Sequence, residues 1–292
     1  MQGNFDPDEP KPRLGPSIDP SATATYRPPF RLGGKDCRYY PGSTPEQENQ
    51  QLSGTLKKNE LKPWLKSMWC IPPEQDSAFV AAMEQVLTVY HRPYDPLFPV
   101  VNMDEQPIQL ISHSRQPLPM RPGDTTKIDY EYVREGMCNA FMFVEPLGGW
   151  REVHVSPTKT AVDWAGYVKW LVDHPRFADA QRITLVCDNL NTHTMGSLYA
   201  AFPAEEAYRL MSKLELVFTP KHGSWLNMAE PELSVMTRQC FSDRVGSQAE
   251  AQRRITAWQE DRNARQAGID WRFTTADARI KLKRLYPQIK MR

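Results

Sequence analysis

The sequence predicts a mixed α/β sheet with helices on both faces. Three observations carry this. Strand-like runs come first in antiparallel-looking succession, "CNAFMFVEP" and "WREVHVS", split by the turn "LGG". Apolar strands then alternate with helical patterns, which places helices on the faces of a sheet. The chain has 292 residues, 40% of them hydrophobic, enough to bury a large core.

The elements follow in order. In "PEQDSAFVAAMEQVLTVYHR", Phe79, Met83, Val86, Leu87 and Tyr90 recur at spacings of three and four, the signature of an amphipathic helix. "PVVNMDE" is a short apolar run ending in acids, and is read as a strand that stops at Asp104. "TAVDWAGYVKWLVDH" is a helix with a threonine start. "RITLVCDNLNTHT" is a strand ending in Asp188-Asn189. "MGSLYAAFPAEEAYRLMSK" is helical and broken near Pro203, and "LELVFTP" is a further strand. A polar turn leads to a helix reaching about Cys240, and "SQAEAQRRITAWQEDRNARQ" is a second long helix.

The ends differ from the middle. Nine prolines lie in the first fifty residues, among glycine, serine and charge, so residues 1–54 are expected to be a disordered arm. Residues 55–98 are read as a basic linker and helix, 99–245 as the catalytic core, and 246–292 as a helical, basic C-terminal segment. From Arg272 onward seven basic residues face one acid, Asp277, which suits a polyanion as well as a solvated helix face. The balance of 36 Lys and Arg against 35 Asp and Glu says nothing about partners by itself. The five cysteines are scattered without metal-ligand or CxxC spacing, as expected of reduced thiols in a cytosolic protein. The acidic start "MQGNFDPDEP" has no apolar run, and no stretch of eighteen apolar residues exists, so neither a signal peptide nor a membrane span is expected.

Three acids share one context. Asp104 and Asp188 end apolar strands, and Glu230 heads the helix after "LELVF". Acids are poor strand residues, and functional groups gather at strand ends in α/β sheets. Three converging carboxylates are ligands suited to Mg²⁺, and two such ions can activate the attacking oxygen and stabilise the leaving one in phosphodiester cleavage. Each acid alone is equally a turn or capping residue.

The segments "VNMDE", "VCDNLNTHT" and "TPKHGSWLNMAEPELSVMTRQC" resemble the three acidic motifs of DDE transposases, in the bacterial insertion-sequence branch related to the mariner group. The resemblance runs from about Leu56 to Pro287. It implies a ribonuclease-H-like core, Mg²⁺ or Mn²⁺ with two ions per site, and cleavage and strand transfer at element ends. It also implies DNA as partner, both terminal inverted repeats and target, and a homodimer on DNA in a bacterial, nucleoid-associated, cytoplasmic setting. Carried over, the metal-binding and catalytic acids are Asp104, Asp188 and Glu230. Asn189, His193, His222 and Asn227 are expected near the site, with local loop hydrogen bonds as the alternative for the histidines and a helix cap for Asn227. Lys221, Arg238, Lys281, Lys283 and Arg284 are the candidate DNA contacts.

The family carries helix-turn-helix domains ahead of its core, and here only "LKKNELKPWLKSMWCIPP" resembles the end of that region. The expectation is a truncated or split protein, completed by a separately encoded helix-turn-helix part. The rival expectations are a folded but inactive remnant that binds DNA non-specifically, and an RNA/DNA-hybrid nuclease. Pro231 departs from the family, and in the first turn of a helix it leaves Glu230 at the entrance, whereas in a helix starting near Ser224 it would bend the chain. On a helical wheel Glu230 and Glu232 fall on opposite flanks of the stripe Leu226, Ala229, Leu233, Met236 and Cys240. Position after Asn227 favours Glu230 as ligand, leaving Glu232 as a surface or first-turn charge.

Overall fold

The computed structural model describes residues 75–288. The proline-rich arm, the basic stretch up to residue 74, Cys37, Cys70, Lys290 and Arg292 lie outside the described residues.

Asp76 caps helix α1 (Ser77–Tyr90) by accepting the Phe79 amide at 2.9 Å, and the five apolar positions of its stripe are buried. Strands β1 (Val100–His113), β2 (Tyr132–Glu145) and β3 (Trp150–Ser156) form an antiparallel meander. Helix α2 (Ala161–Asp173) starts from Thr160 through a capping box with Asp163, and β4 (Ile183–Cys187) follows. Helices α3 (Met195–Ala201) and α4 (Ala204–Ser212) are separated at Pro203, and β5 (Leu214–Phe218) precedes a single 3₁₀ turn, Ser224–Leu226. Then come α5 (Ala229–Cys240), α6 (Gln248–Ala264) and α7 (Thr275–Lys281).

The sheet order is β3-β2-β1-β4-β5. β1 pairs parallel with β4, and β4 parallel with β5. Three antiparallel strands continued by two parallel ones, with helices on both faces, form the ribonuclease-H-like arrangement. Val101, Met103, Phe141, Phe143, Ile183, Leu185 and Cys187 pack under α2, α3 and α4 on one face. Ile108, Leu110, Met142, Val144, Val153 and Val155 pack under α5 and α6 on the other. α1 and α7 extend that second layer over Val186 and Val217. The three described cysteines, Cys138, Cys187 and Cys240, are buried free thiols.

One expectation is corrected here. β1 does not stop at Asp104 but runs nine residues further, paired with β2 from Asn102↔Val144 to His113↔Tyr132. Pro107 disguised the continuation. Pairing with β4 covers only Val100 to Asn102, so β1 is an edge on that side where the proline falls, a place where a strand tolerates it.

β3 is the outer strand, and α6 covers its edge with side-chain amides. Gln248 donates to the Val155 carbonyl at 2.9 Å, and Gln252 accepts the Val155 amide at 2.8 Å while donating to the Val153 carbonyl at 3.1 Å. Gln259 accepts the Val153 amide at 2.9 Å. Asn263 accepts the Arg151 amide at 2.9 Å and donates to its carbonyl at 2.8 Å. The outward-facing N–H and C=O groups of Arg151, Val153 and Val155 are thereby satisfied, and no template is left for another strand.

Candidate active site

The parallel pairing of β1 with β4 ends at Asn102↔Val186. Two residues further on stand Asp104, within β1, and Asp188, directly after the end of β4, so the two acids lie at one level. Strand alternation then decides which way β1 presents its side chains. Asn102 bonds toward Asn227, and Gln106 accepts from Thr237 Oγ1 on α5 at 3.1 Å. Asp104, between them in the same parity, faces α5, whose second residue is Glu230. Glu105 takes the opposite face.

α5 begins at Ala229, after a break at Asn227 that separates it from the 3₁₀ turn. Pro231 is therefore the third helical residue. Its missing N–H is one that a helix start leaves unpaired anyway, so the proline removes no helical bond. Asn227 is not the cap residue, which is Met228. It works one position earlier: its Oδ1 accepts the Ala229 amide at 3.1 Å, and its Nδ2 donates to the Met103 carbonyl at 2.9 Å. Buried Asn227 thus ties the start of α5 to the residue before Asp104.

The electrostatics follow from this crowding. Burial, then the charges of Asp188, Glu230 and Glu105, push the Asp104 carboxyl up to about 7, against the Glu105 amide that donates to it at 2.8 Å. His193 is fully buried between two carboxylates, with Nε2 at 2.8 Å from Glu105 Oε1 and Nδ1 at 2.7 Å from Asp188 Oδ1. Burial alone would lower its pKa. Hydrogen bonds with Asp188, Cys187 and Glu105 outweigh that and push it up to about 12.

Glu105, Asp188 and His193 place one ligand atom each within 4.8 Å of one another. His193 bridges Glu105 and Asp188 through its two ring nitrogens. Glu105 was not singled out by the sequence reading. Its signal was adjacency to Asp104, but its partner His193 lies 88 residues away.

Glu232 stands in the first turn of α5, which keeps one of its two expected places and corrects the other. It is not a surface charge but 4% exposed, with Arg262 donating to both of its oxygens, at 3.1 Å and 2.6 Å, and Arg151 in ion-pair contact at 3.0 Å. It points away from the Asp104 side of the helix, as its partners on β3 and α6 require.

The remaining candidates are exposed: Asn189 beside Asp188, Lys221 and His222 in the turn after β5, Arg238 near the end of α5, and Lys281, Lys283 and Arg284 at the C-terminal end. His222 sits at φ 62, and Gly223 after it is required because a Cβ there would meet Pro220 Cγ at 2.5 Å. Lys281 lies 3.9 Å from Asp277.

The profile of a family described as "DDE superfamily endonuclease" matches residues 99–252. No curated protein matches at a significant level. Among solved structures, the chain is similar to "Mos1 transposase paired-end complex with left transposon end", with 15% identity, 81% of this chain and 78% of that chain covered, and a TM-score of 0.47. It is similar to "Crystal structure of the Mos1 mariner paired end complex with Mn", with 14% identity, 80% and 78% coverage, and a TM-score of 0.46. It is also similar to "Crystal structure of the catalytic domain of Mos1 mariner transposase", with 15% identity, 68% and 91% coverage, and a TM-score of 0.44.

Proposed function

The chain belongs to the family of DDE superfamily endonucleases, and from that premise we propose that it is the transposase of an insertion sequence, cutting DNA phosphodiesters at the element's ends and joining the freed strand to a target. The supporting observation is the level placement of Asp104 and Asp188 at neighbouring strands, with Glu230 brought over Asp104 by α5. The core lies in 99–245, and the helical segment after it closes the sheet edge.

The donor set fits a divalent cation. Burial and the neighbouring charges of Asp188, Glu230 and Glu105 force the Asp104 carboxyl toward its protonated form, a crowding of negative charge that a cation would relieve. Asp104, Asp188 and Glu230 would hold Mg²⁺ or Mn²⁺, two ions in this reading. A divalent cation held there would supply the chemistry of activating the attacking oxygen and stabilising the leaving one. This chain's residues do the arranging. His193 and Glu105 fix the Asp188 carboxylate, and Asn227 sets the distance between the Glu230 helix and the Asp104 strand. Hydrolysis breaks one P–O bond and frees a 3′-hydroxyl. That hydroxyl then forms a new P–O bond in the target strand while another breaks.

Exposed Lys221, Arg238, Lys281, Lys283 and Arg284 are assigned to DNA phosphates. In this reading two copies act together on the paired ends, a separately encoded helix-turn-helix part supplies end recognition, and the setting is bacterial cytoplasm at the nucleoid. Among the described residues, no helix is long and apolar enough to cross a membrane.

The test is Mg²⁺-dependent nicking of DNA carrying the element's terminal repeats, wild type against Asp188→Ala. Loss of nicking in the variant is expected, and equal activity in both removes this mechanism. Cleavage of RNA/DNA hybrid without strand transfer would reassign the substrate.

A further inference from the structure

We infer that Glu232 is a positioning residue for Glu230, held by a buried two-arginine clamp that fixes the rotation of the first turn of α5. The inference rests on Glu230 being a metal ligand.

The start of α5 is weakly held by its own backbone. Its cap residue Met228 makes no side-chain cap bond, and Pro231 has no N–H to give. The fastening comes from the two residues that flank Glu230. On one side Asn227 is bonded to the Met103 carbonyl of β1. Two residues after Glu230, about 200° around the helix, Glu232 enters the other side.

There its carboxylate meets the Arg262 fork through both oxygens, and Arg151 Nε 3.0 Å from Oε2. Neither arginine is free to wander. The Arg151 side chain is fully buried, its backbone N–H and C=O are both taken by Asn263, and its guanidinium donates to the Ala267 carbonyl. Arg262 leans on the Trp258 ring, 5.4 Å from its centroid, and rides on α6, which the amide ladder locks to the edge of β3.

Two anchors on opposite sides of one turn fix the rotation of the helix about its own axis, and with it the direction in which Glu230 leaves the backbone. A bidentate arginine pair adds geometric definition beyond charge, and nothing about a surface charge would need it. The carboxylate that faces away from the site therefore decides where the facing one stands.

The experiment measures Mn²⁺ affinity of the full chain by calorimetry, with folding checked by circular dichroism. Glu232→Gln and Arg262→Lys are compared with Ile255→Val, a core change that lowers stability on α6 without touching the clamp. The expected result is Mn²⁺ binding weakened about 10- to 100-fold in the two clamp variants, as when outer partners of metal ligands are lost, and unchanged in Ile255→Val. If Glu232→Gln does not fold, Arg262→Lys, which keeps the charge and loses the fork, decides. Wild-type affinity in folded clamp variants overturns the inference, as does an equal loss in Ile255→Val. If Glu230→Gln binds Mn²⁺ as the wild type does, the assignment of Glu230 itself has failed and the clamp's role falls with it.

Discussion

Asn227 donates to the main-chain carbonyl of Met103 at 2.9 Å, so the strand that carries Asp104 and the helix that carries Glu230 are one hydrogen bond apart. The bond is buried and its acceptor has no access to water, which makes it expensive to break.

Asn227→Leu is therefore expected to cost about 1–3 kcal/mol of stability by leaving the Met103 carbonyl and Ala229 amide without their partner. Asn227→Asp is expected to keep the bond from the Ala229 amide and set a carboxylate against the Met103 carbonyl. Urea unfolding ranks the two, and nicking assays on the folded variants should both fall below wild type. Full activity in Asn227→Asp would show that the strand–helix spacing does not depend on this amide.

His193 holds two carboxylates at once, the buried Glu105 and the half-buried Asp188. His193→Gln is expected to destabilise the protein by about 3–5 kcal/mol, because the buried Glu105 carboxylate is left without its partner. Adding the change Glu105→Gln should restore part of that loss, since the orphaned buried charge is gone. Thermal unfolding of the single and double variants reads the coupling directly.

Asp104 makes the metal-free protein pH-dependent. Its carboxyl is raised from 3.8 to about 7, so between these values the folded chain keeps a proton that the unfolded chain has lost. Stability must then fall as pH rises through that window. His193, raised from 6.5 to about 12, holds its proton in both states only about one unit or more below 6.5, and there it adds no slope. Unfolding in urea with chelator from pH 4 to about one unit below the ordinary histidine value of 6.5 should thus show a decline that Asp104→Asn flattens. Mg²⁺ should oppose the decline, because it favours the ionised carboxylates. An unchanged slope in Asp104→Asn would refute the assignment of that proton.

Much of this was legible in the sequence, and the gaps have a common cause. The 3.6-residue stripes of α1 and α5 and the short β4 and β5 follow from local pattern, and so does the placing of Asp188 at a strand end. The length of β1 did not, because Pro107 is acceptable only where β4 has already ended. The burial of Glu232 did not, because the arginines that make it tolerable lie 81 residues before it and 30 after. Gln248, Gln252, Gln259 and Asn263 look like a solvated helix face until the open edge of β3 is set beside them.

That edge gives a prediction of its own. Gln259→Leu leaves the Val153 amide unpaired and uncovers part of β3, so it is expected to cost about 1–3 kcal/mol and to promote self-association. Light scattering against concentration should show larger species in the variant, and a monodisperse variant would argue that the apolar cover of α6 alone protects the strand.

Pro231 separates a sequence-level alarm from a structural one. A proline deep in a helix costs about 3 kcal/mol, and there it would tilt the segment that carries Glu230. It is instead the third residue of α5, where no carbonyl awaits its N–H. Its fixed φ also narrows the unfolded ensemble, a contribution of about 0.4–1 kcal/mol in favour of the fold. Pro231→Ala is accordingly expected to lower stability by no more than that amount, with Mn²⁺ affinity and nicking unchanged. A gain of several kcal/mol on removing the proline, or a marked rise in activity, would mean that it strains the helix after all and that this copy is handicapped at its third acid.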